Sequence, residues 1–258
     1  MNSSKSGVLG ILQARMTSSR LPGKVMSLVN GTPMIGIQIS RIRQSRGLDN
    51  LLVATTVNKE DDVLVEYLNS ISVDVYRGSI TDVYSRFREI TEKFQPRSFL
   101  RMTADCPLVM PELIDEMIQD FLNIPTDYLS NTLVPMYPDG LDLEIVDSGA
   151  FKKLKQLELS IEEREHVTIG IYSRPELFRL RNFVYLRDLS ELRWTVDYPE
   201  DLEFVRNVFS GFPGREHLFG LEELLNYLDK SRLKNSIPGT MRNIALKKDS
   251  NLKLDNQQ

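Results

Sequence analysis

A single cysteine, Cys106, leaves no partner for an intrachain disulfide, and that usage fits a reducing compartment. Long apolar runs are missing too. The first apolar stretch, Val8 to Leu12, is broken by Gln13 and Arg15, too soon for a secretory leader or a membrane span. A cytoplasmic location with no membrane partner is therefore expected. Charge of one sign is not in excess: 32 Lys and Arg against 36 Asp and Glu leave −4. That balance argues against nucleic acid as the main partner, while a local basic cleft stays open. His-Glu-x-x-His spacing and cysteine clusters are absent, so zinc is not expected. Neither an internal repeat nor a Gly/Ser-rich linker appears, so one domain is expected over 1–245. Residues 246–258 have no aromatics and no apolar periodicity, which predicts a frayed C-terminal tail.

What is present is enough for a sizeable core: 41% hydrophobic and 26% charged residues in a chain of 258. Strand and helix patterns alternate through the first half. Val8–Leu12, Leu51–Thr55, Val73–Tyr76 and Ser98–Met102 read as strands. Between them lie helices over Met34–Ile42, Asp61–Ser70 and Asp82–Glu92, with another over Pro111–Leu122. Asn30-Gly31 is a turn signal, and Thr32 is expected to cap the helix that Pro33 opens. Strands joined by crossover helices imply a parallel sheet in a three-layer α/β arrangement. The second half is more mixed. Tyr128–Ser130, Leu143–Val146, Arg179–Tyr185 and Arg193–Val196 read as strands. Helices are expected over Ser148–Glu158, from Ser160 toward Tyr172 with a Ser160/Glu163 capping box, and over Glu200–Phe209 and Leu221–Leu228.

The most informative stretch is Gln13-Ala14-Arg15-Met16-Thr17-Ser18-Ser19-Arg20-Leu21-Pro22-Gly23-Lys24. A buried strand here delivers three cations, Arg15, Arg20 and Lys24, to the carboxyl edge of the sheet, where open α/β sheets bind ligands. Small residues let backbone N–H groups approach an anion, and guanidinium forks match phosphate oxygens. Ser18 stands where a Walker loop needs its first glycine, and Gly7 and Gly10 fall too early for a dinucleotide fingerprint. A solvated surface loop is the competing reading. Lys24 follows Pro-Gly in this polar loop, so its loss is expected to cost little in folding.

Two aspartates also stand just after expected strands. Asp105, in Thr103-Ala104-Asp105-Cys106-Pro107, reads equally as a cation ligand beside phosphate or as a turn residue. Asp197, in Trp194-Thr195-Val196-Asp197-Tyr198-Pro199, reads as a cation ligand or as a helix cap. Cys106 reads as a small spacer. In an expected strand over 142–146, Asp142 and Glu144 share one face by period two and can meet sugar hydroxyls, an amine or structural arginines. Arg77-Gly78-Ser79 is a nucleotide contact or an ordinary turn, and His166 is a lone helical histidine.

Gln13-Ala14-Arg15, Ser19 to Lys24, the Asp-x-Pro block at Asp105 and the Asp197 block resemble the sugar-acid cytidylyltransferases of the Kdo and acylneuraminate type. The spore-coat polysaccharide branch is the most similar, through Tyr137-Pro138-Asp139-Gly140-Leu141-Asp142-Leu143-Glu144 and Glu163-Arg164-Glu165-His166-Val167-Thr168. Tyr198 departs from the threonine common in Kdo-type relatives. The resemblance implies a mixed, mainly parallel sheet of the nucleotide-diphospho-sugar transferase type, glycosyltransferase-A-like. It also implies CMP transfer from CTP to a sugar acid with release of pyrophosphate, for surface polysaccharide or glycoconjugate biosynthesis, and a homodimer. On that basis Gln13, Ala14, Arg15, Arg20, Lys24, Arg77, Ser79 and Asp105 are expected at the nucleotide, with Arg15, Lys24, Asp105 and Asp197 catalytic. Asp105 and Asp197 would hold Mg²⁺, and Tyr137, Asp142, Glu144 and His166 would meet the acceptor. A glycosyltransferase using a nucleotide sugar, a cytidylyltransferase for a phosphonate, and a nucleotide-binding regulator are the alternatives.

Overall fold

The structure, a computed structural model, describes residues 7–231 and Leu233. The tail expected at 246–258 lies outside the described residues. In chain order the strands are β1 (Val8–Gln13), β2 (Leu28–Val29), β3 (Thr32–Pro33), β4 (Asn50–Thr56), β5 (Asp74–Gly78), β6 (Ser98–Thr103), β7 (Tyr128–Ser130), β8 (Glu144–Asp147) and β9 (Leu180–Asn182). The helices are α1 (Met34–Ile42), α2 (Asp62–Ser70), α3 (Val83–Phe94), α4 (Pro111–Asn123), α5 (Ser148–Lys153), α6 (Ile161–Glu165), α7 (Ile169–Tyr172), α8 (Pro199–Ser210) and α9 (Leu221–Ser231).

Seven strands form one sheet in the order β5-β4-β1-β6-β8-β7-β9, while β2 and β3 make a separate hairpin. β5, β4, β1 and β6 run parallel, and β8 alone is antiparallel to its neighbours β6 and β7. β1 sits in the middle of the parallel block and is buried on both faces, which is why it reads as an unbroken apolar run. Alternation sorts its side chains between two cores. Val8 and Leu12, with Val53 and Met102, pack toward α1, α2, α4, α8 and α9. Leu9 and Ile11, with Leu52 and Phe99, pack toward α3, α5 and α7. The result is the three-layer, mainly parallel α/β fold expected. Among the described residues no helix is long and apolar enough to cross a membrane.

Five local expectations need correction. Thr32 does not cap α1: Thr32–Pro33 is a strand paired with Leu28–Val29 across Asn30-Gly31, whose positive φ values of 49° and 80° suit a tight hairpin turn. The helix from Ser148 ends at Lys153 and finishes in a 3₁₀ turn, Leu154–Gln156. The Ser160/Glu163 capping box forms, but α6 stops at Glu165, because Val167 takes φ 49° and the helix restarts only at α7. Of Arg179–Tyr185 only Leu180–Asn182 pairs with the sheet. Arg193–Val196 is outside the sheet altogether. It crosses the strand ends, held by Trp194 N–H to Asp139 O at 2.5 Å and Val196 N–H to Asp105 O at 2.8 Å.

Candidate active site

The 13–24 loop is folded by its own backbone and by one buried carboxylate. Met16 O accepts from Ser18 N–H at 3.1 Å and from Gly23 N–H at 2.9 Å, which folds the loop back on itself. Gly23 takes φ 73°, a conformation that suits glycine. Asp61, fully buried at the start of α2, accepts the Met16 N–H at 2.7 Å, the Thr56 N–H at 3.1 Å and the Thr56 hydroxyl. It thereby ties the loop to the end of β4. Nothing in the local sequence marks Asp61 for this role.

One cleft is lined by Gln13, Ala14, Arg15, Arg20, Lys24, Asp105 and Asp197, together with Thr103 and the small residues of the loop. Arg15 is exposed and has no ion-pair partner among the described residues. Lys24 is the opposite case and corrects the expectation of a solvated residue. Its side chain is 10% exposed, and Nζ donates to Val196 O at 2.6 Å, Asp197 Oδ1 at 3.0 Å and Asp105 Oδ2 at 3.4 Å. Both carboxylates therefore converge on one cationic point.

Asp197 is oriented from several sides. Arg20 meets Oδ1 at 2.7 Å while its guanidinium lies over the Tyr198 ring at 5.5 Å. Arg193 holds Oδ2 at 3.1 Å and reaches Asp201 at 3.3 Å and Asp139 at 3.6 Å. Asp201 in turn accepts the Asp197 N–H at 2.7 Å and the Tyr198 N–H at 2.9 Å. The sequence signal for Asp201 was available, an acid three residues past the helix boundary. Arg193 carried none, because nothing local marks an arginine that pairs with Asp139 and Asp201.

Asp105 lies two residues past β6, where its position after the strand put it. Thr103 Oγ1 donates to it at 2.6 Å. Burial pushes the Asp105 carboxyl up, but Lys24 and the hydrogen bonds from Thr103, Cys106 and Lys24 outweigh it, holding the group below its ordinary range. The neighbouring Cys106 thiol is pushed well up, first by burial and then by Asp105 and Asp142. A thiol so held is no nucleophile at neutral pH, in keeping with a spacer.

The structure does not bring the other expected residues to this cleft. Arg77 donates to Thr56 O at 2.8 Å and Asn58 O at 2.7 Å and pairs with Asp62 at 2.6 Å, bracing the β4 end. The Ser79 carbonyl accepts from the buried Arg86 at 2.6 Å, and its hydroxyl accepts from Asp82 N–H. Tyr137 is buried against Phe183 and Tyr185. Asp142 precedes β8 rather than sharing a strand face with Glu144. Glu144 is buried, paired with Arg101 and bonded by Tyr128 and Thr168. His166 is exposed at the end of α6.

The loop between Tyr137 and Asp142 nevertheless serves the cleft from outside. A Cβ on Gly140 would stand 2.5 Å from Thr195 N and 2.6 Å from Trp194 C, and Gly140 takes φ 107°. Glycine here lets the loop lie flat against the segment that carries Asp197.

Residues 9–212 match the family model described as cytidylyltransferase. The spore coat polysaccharide biosynthesis protein SpsF of Bacillus subtilis is 32% identical over 232 residues, 87% of this chain and 95% of that one. The mitochondrial 3-deoxy-manno-octulosonate cytidylyltransferase of Arabidopsis thaliana is 31% identical over 143 residues, 54% of this chain and 48% of that one. A solved structure of a cytidylyltransferase from Leptospira borgpetersenii superposes with a TM-score of 0.85 at 29% identity, covering 92% of this chain and 99% of that one. With four-fifths of its length inside the family match, the chain belongs to the cytidylyltransferase family and is a CTP-dependent nucleotidyltransferase.

Proposed function

We propose that the cleft between the 13–24 loop, Asp105 and Asp197 binds CTP, and that the acceptor is a sugar acid whose CMP conjugate feeds surface polysaccharide or glycoconjugate synthesis. The observation that carries this reading is the pairing of an unneutralised cation, Arg15, with two carboxylates that meet at Lys24. The partial match to a 3-deoxy-manno-octulosonate enzyme supports the sugar-acid class.

An acceptor hydroxyl attacks the α-phosphorus and gives up its proton to water; the new P–O bond forms as the bond to the pyrophosphate oxygen breaks. Arg15 and Arg20 hold the triphosphate oxygens. Lys24, fixed by the Val196 carbonyl, places its charge where the leaving pyrophosphate gathers negative charge, and such aimed charge is often the largest catalytic contribution. Asp105 and Asp197 supply hard oxygen donors on one side of the cleft, both within ion-pair reach of Lys24 Nζ, and would hold Mg²⁺, which commonly takes one or two carboxylates plus phosphate. When bound, Mg²⁺ polarises the α-phosphate. Among the described residues no group of three or more His, Cys, Asp or Glu is placed to hold a metal ion by itself. A homodimer belongs to the same reading, supported by the open edge of β9 and the exposed Val184 and Leu186 beyond it; sedimentation of the full chain tests it.

Pyrophosphate release from CTP with a panel of sugar acids is the deciding assay. Asp105→Asn and Asp197→Asn are expected to keep the fold and lose most turnover, the double variant being little worse than the poorer single one. Near-normal turnover of either variant at limiting Mg²⁺ refutes the metal assignment. Release with a phosphonate but with no sugar acid refutes the acceptor class.

A further inference from the structure

Glu144 is out of character with its strand. Ile145 and Val146 beside it are fully buried and apolar, yet Glu144 places a carboxylate in the same sheet, 8% exposed. It sits opposite Arg101 in the antiparallel β6–β8 register and pairs with that guanidinium. The Tyr128 hydroxyl and the Thr168 hydroxyl each donate to Oε1 at 2.6 Å. Burial pushes the carboxyl up, and Arg101 with these hydrogen bonds more than reverses it, so the group stays ionised. A buried ion pair is poor value as a stabiliser, because apolar residues of similar volume hold a core as well. What it adds is a fixed direction.

That direction can be traced. Ile11 pairs with Arg101 and Gln13 with Thr103, so Gln13 is the diagonal neighbour of Arg101 on the same face. The second arm of the Arg101 guanidinium donates to Gln13 Oε1 at 3.3 Å. A guanidinium has donors only, so the atom it meets must be the amide oxygen, and the orientation of the amide follows without ambiguity. The Gln13 NH₂ is then turned away from Arg101, and Gln13 lines the cleft whereas Arg101 does not.

We propose that the Arg101–Glu144 pair is a positioning element: it locks the Gln13 amide so that its NH₂ is the donor the cleft wall offers to an acceptor atom of the bound nucleotide. The inference rests on the placement of CTP in this cleft. Glu144 thus acts through two residues and touches no ligand itself. Its three donors, from β6, β7 and the turn after α6, keep the pair from swinging toward the cleft.

CTP binding by titration calorimetry tests this. Gln13→Met keeps shape and adds no charge but removes the donor; its Kd for CTP is expected to rise roughly fivefold to tenfold, the loss of one hydrogen bond. Replacing the pair together, Arg101→Met with Glu144→Gln, is expected to raise Kd by a similar factor in the Gln13 protein and to leave it unchanged in the Gln13→Met protein. The loss should fall on KM for CTP, with kcat retained. Should the paired replacement fail to fold, Arg101→Lys takes its place, since lysine neutralises Glu144 but lacks the second arm. Unchanged CTP affinity in Gln13→Met overturns the inference. So does an equal loss from the pair in both backgrounds, which makes its effect structural. Arg15→Ala separates the two layers: if it weakens CTP while Gln13→Met does not, only this inference falls. If Arg15→Ala leaves CTP binding intact, the cleft assignment falls and takes this inference with it.

Discussion

Arg193→Met removes the cation that three carboxylates share. The guanidinium lies 3.1 Å from Asp197, 3.3 Å from Asp201 and 3.6 Å from Asp139, and its side chain is 10% exposed. Deleting one partner of a buried pair costs ~3–5 kcal/mol when the remaining charge is left uncompensated. Here compensation is partial. Asp197 keeps Lys24 and Arg20, and Asp201 keeps two backbone N–H donors. The lower end, ~3 kcal/mol, is therefore expected. For a chain of this size each kcal/mol is ~2–4 °C in Tm, so the melting midpoint should fall by about 6–12 °C. Thermal unfolding followed by far-UV circular dichroism measures it. Arg193→Lys should recover only part of the loss, because one ammonium cannot bridge three carboxylates as a planar fork does. A midpoint within 2 °C of wild type for Arg193→Met means the carboxylates do not depend on the guanidinium, and the account of how Asp197 is oriented fails.

Lys24→Ala should now cost both folding and chemistry: ~1.5–3 kcal/mol for hydrogen bonds to charged groups and ~10²–10³ in kcat, read as Tm and as turnover per folded molecule. An unchanged Tm would restore the solvated-loop picture. Gly140→Ala should push the Trp194–Thr195 backbone away, and the sole tryptophan, fully buried, reports it as a red shift in emission alongside reduced turnover; an unmoved spectrum and Tm count against the contact. Acid titration should show stability flat at neutral pH. Asp105, Asp127, Glu144 and Glu163 are held below their ordinary values, each against burial, chiefly by arginine or lysine partners and hydrogen bonds. Their contribution is present in full above the unfolded values, ~3.9 for Asp and ~4.3 for Glu, and is lost as pH falls through the lower folded values. A protein that gains stability below pH ~4 would contradict that sign.

Much of the first half was legible because burial on both faces writes strands as apolar runs, and β1, β4 and β6 are buried in that way. The cleft was legible for a related reason: a strand that ends in small and cationic residues must present them at the sheet edge. What stayed hidden depends on partners distant in sequence. Nothing local distinguishes Lys24 in a polar loop from Lys24 clamped under Val196, 172 positions away. Glu144 reads from the sequence as a substrate contact or as a partner of structural arginines, because alternation gives a face but not whether that face is covered; Arg101 and Thr168 cover it. The helix expected through His166 is broken by Val167 at φ 49°, a conformation its β-branched side chain disfavours and local propensity would not predict. Arg193–Val196 alternates like a strand, yet the sheet has no position for it.

The central place of β1 bears on how the protein is made. Synthesis releases the N-terminal end first, but β1 finds its flanking strands only when β4, at 50–56, and β6, at 98–103, have followed it. Until about the hundredth residue its apolar run stays without its second neighbour. The parallel block is then complete, yet Lys24 still waits for Val196 and Asp197, so nascent chains halted near residue 150 would hold that parallel block with an open clamp. Limited proteolysis of such halted chains would read that order directly, with the strands protected and the 13–24 loop still cut. Catalytic competence is then among the last properties the growing chain acquires, long after most of its sheet has been drawn.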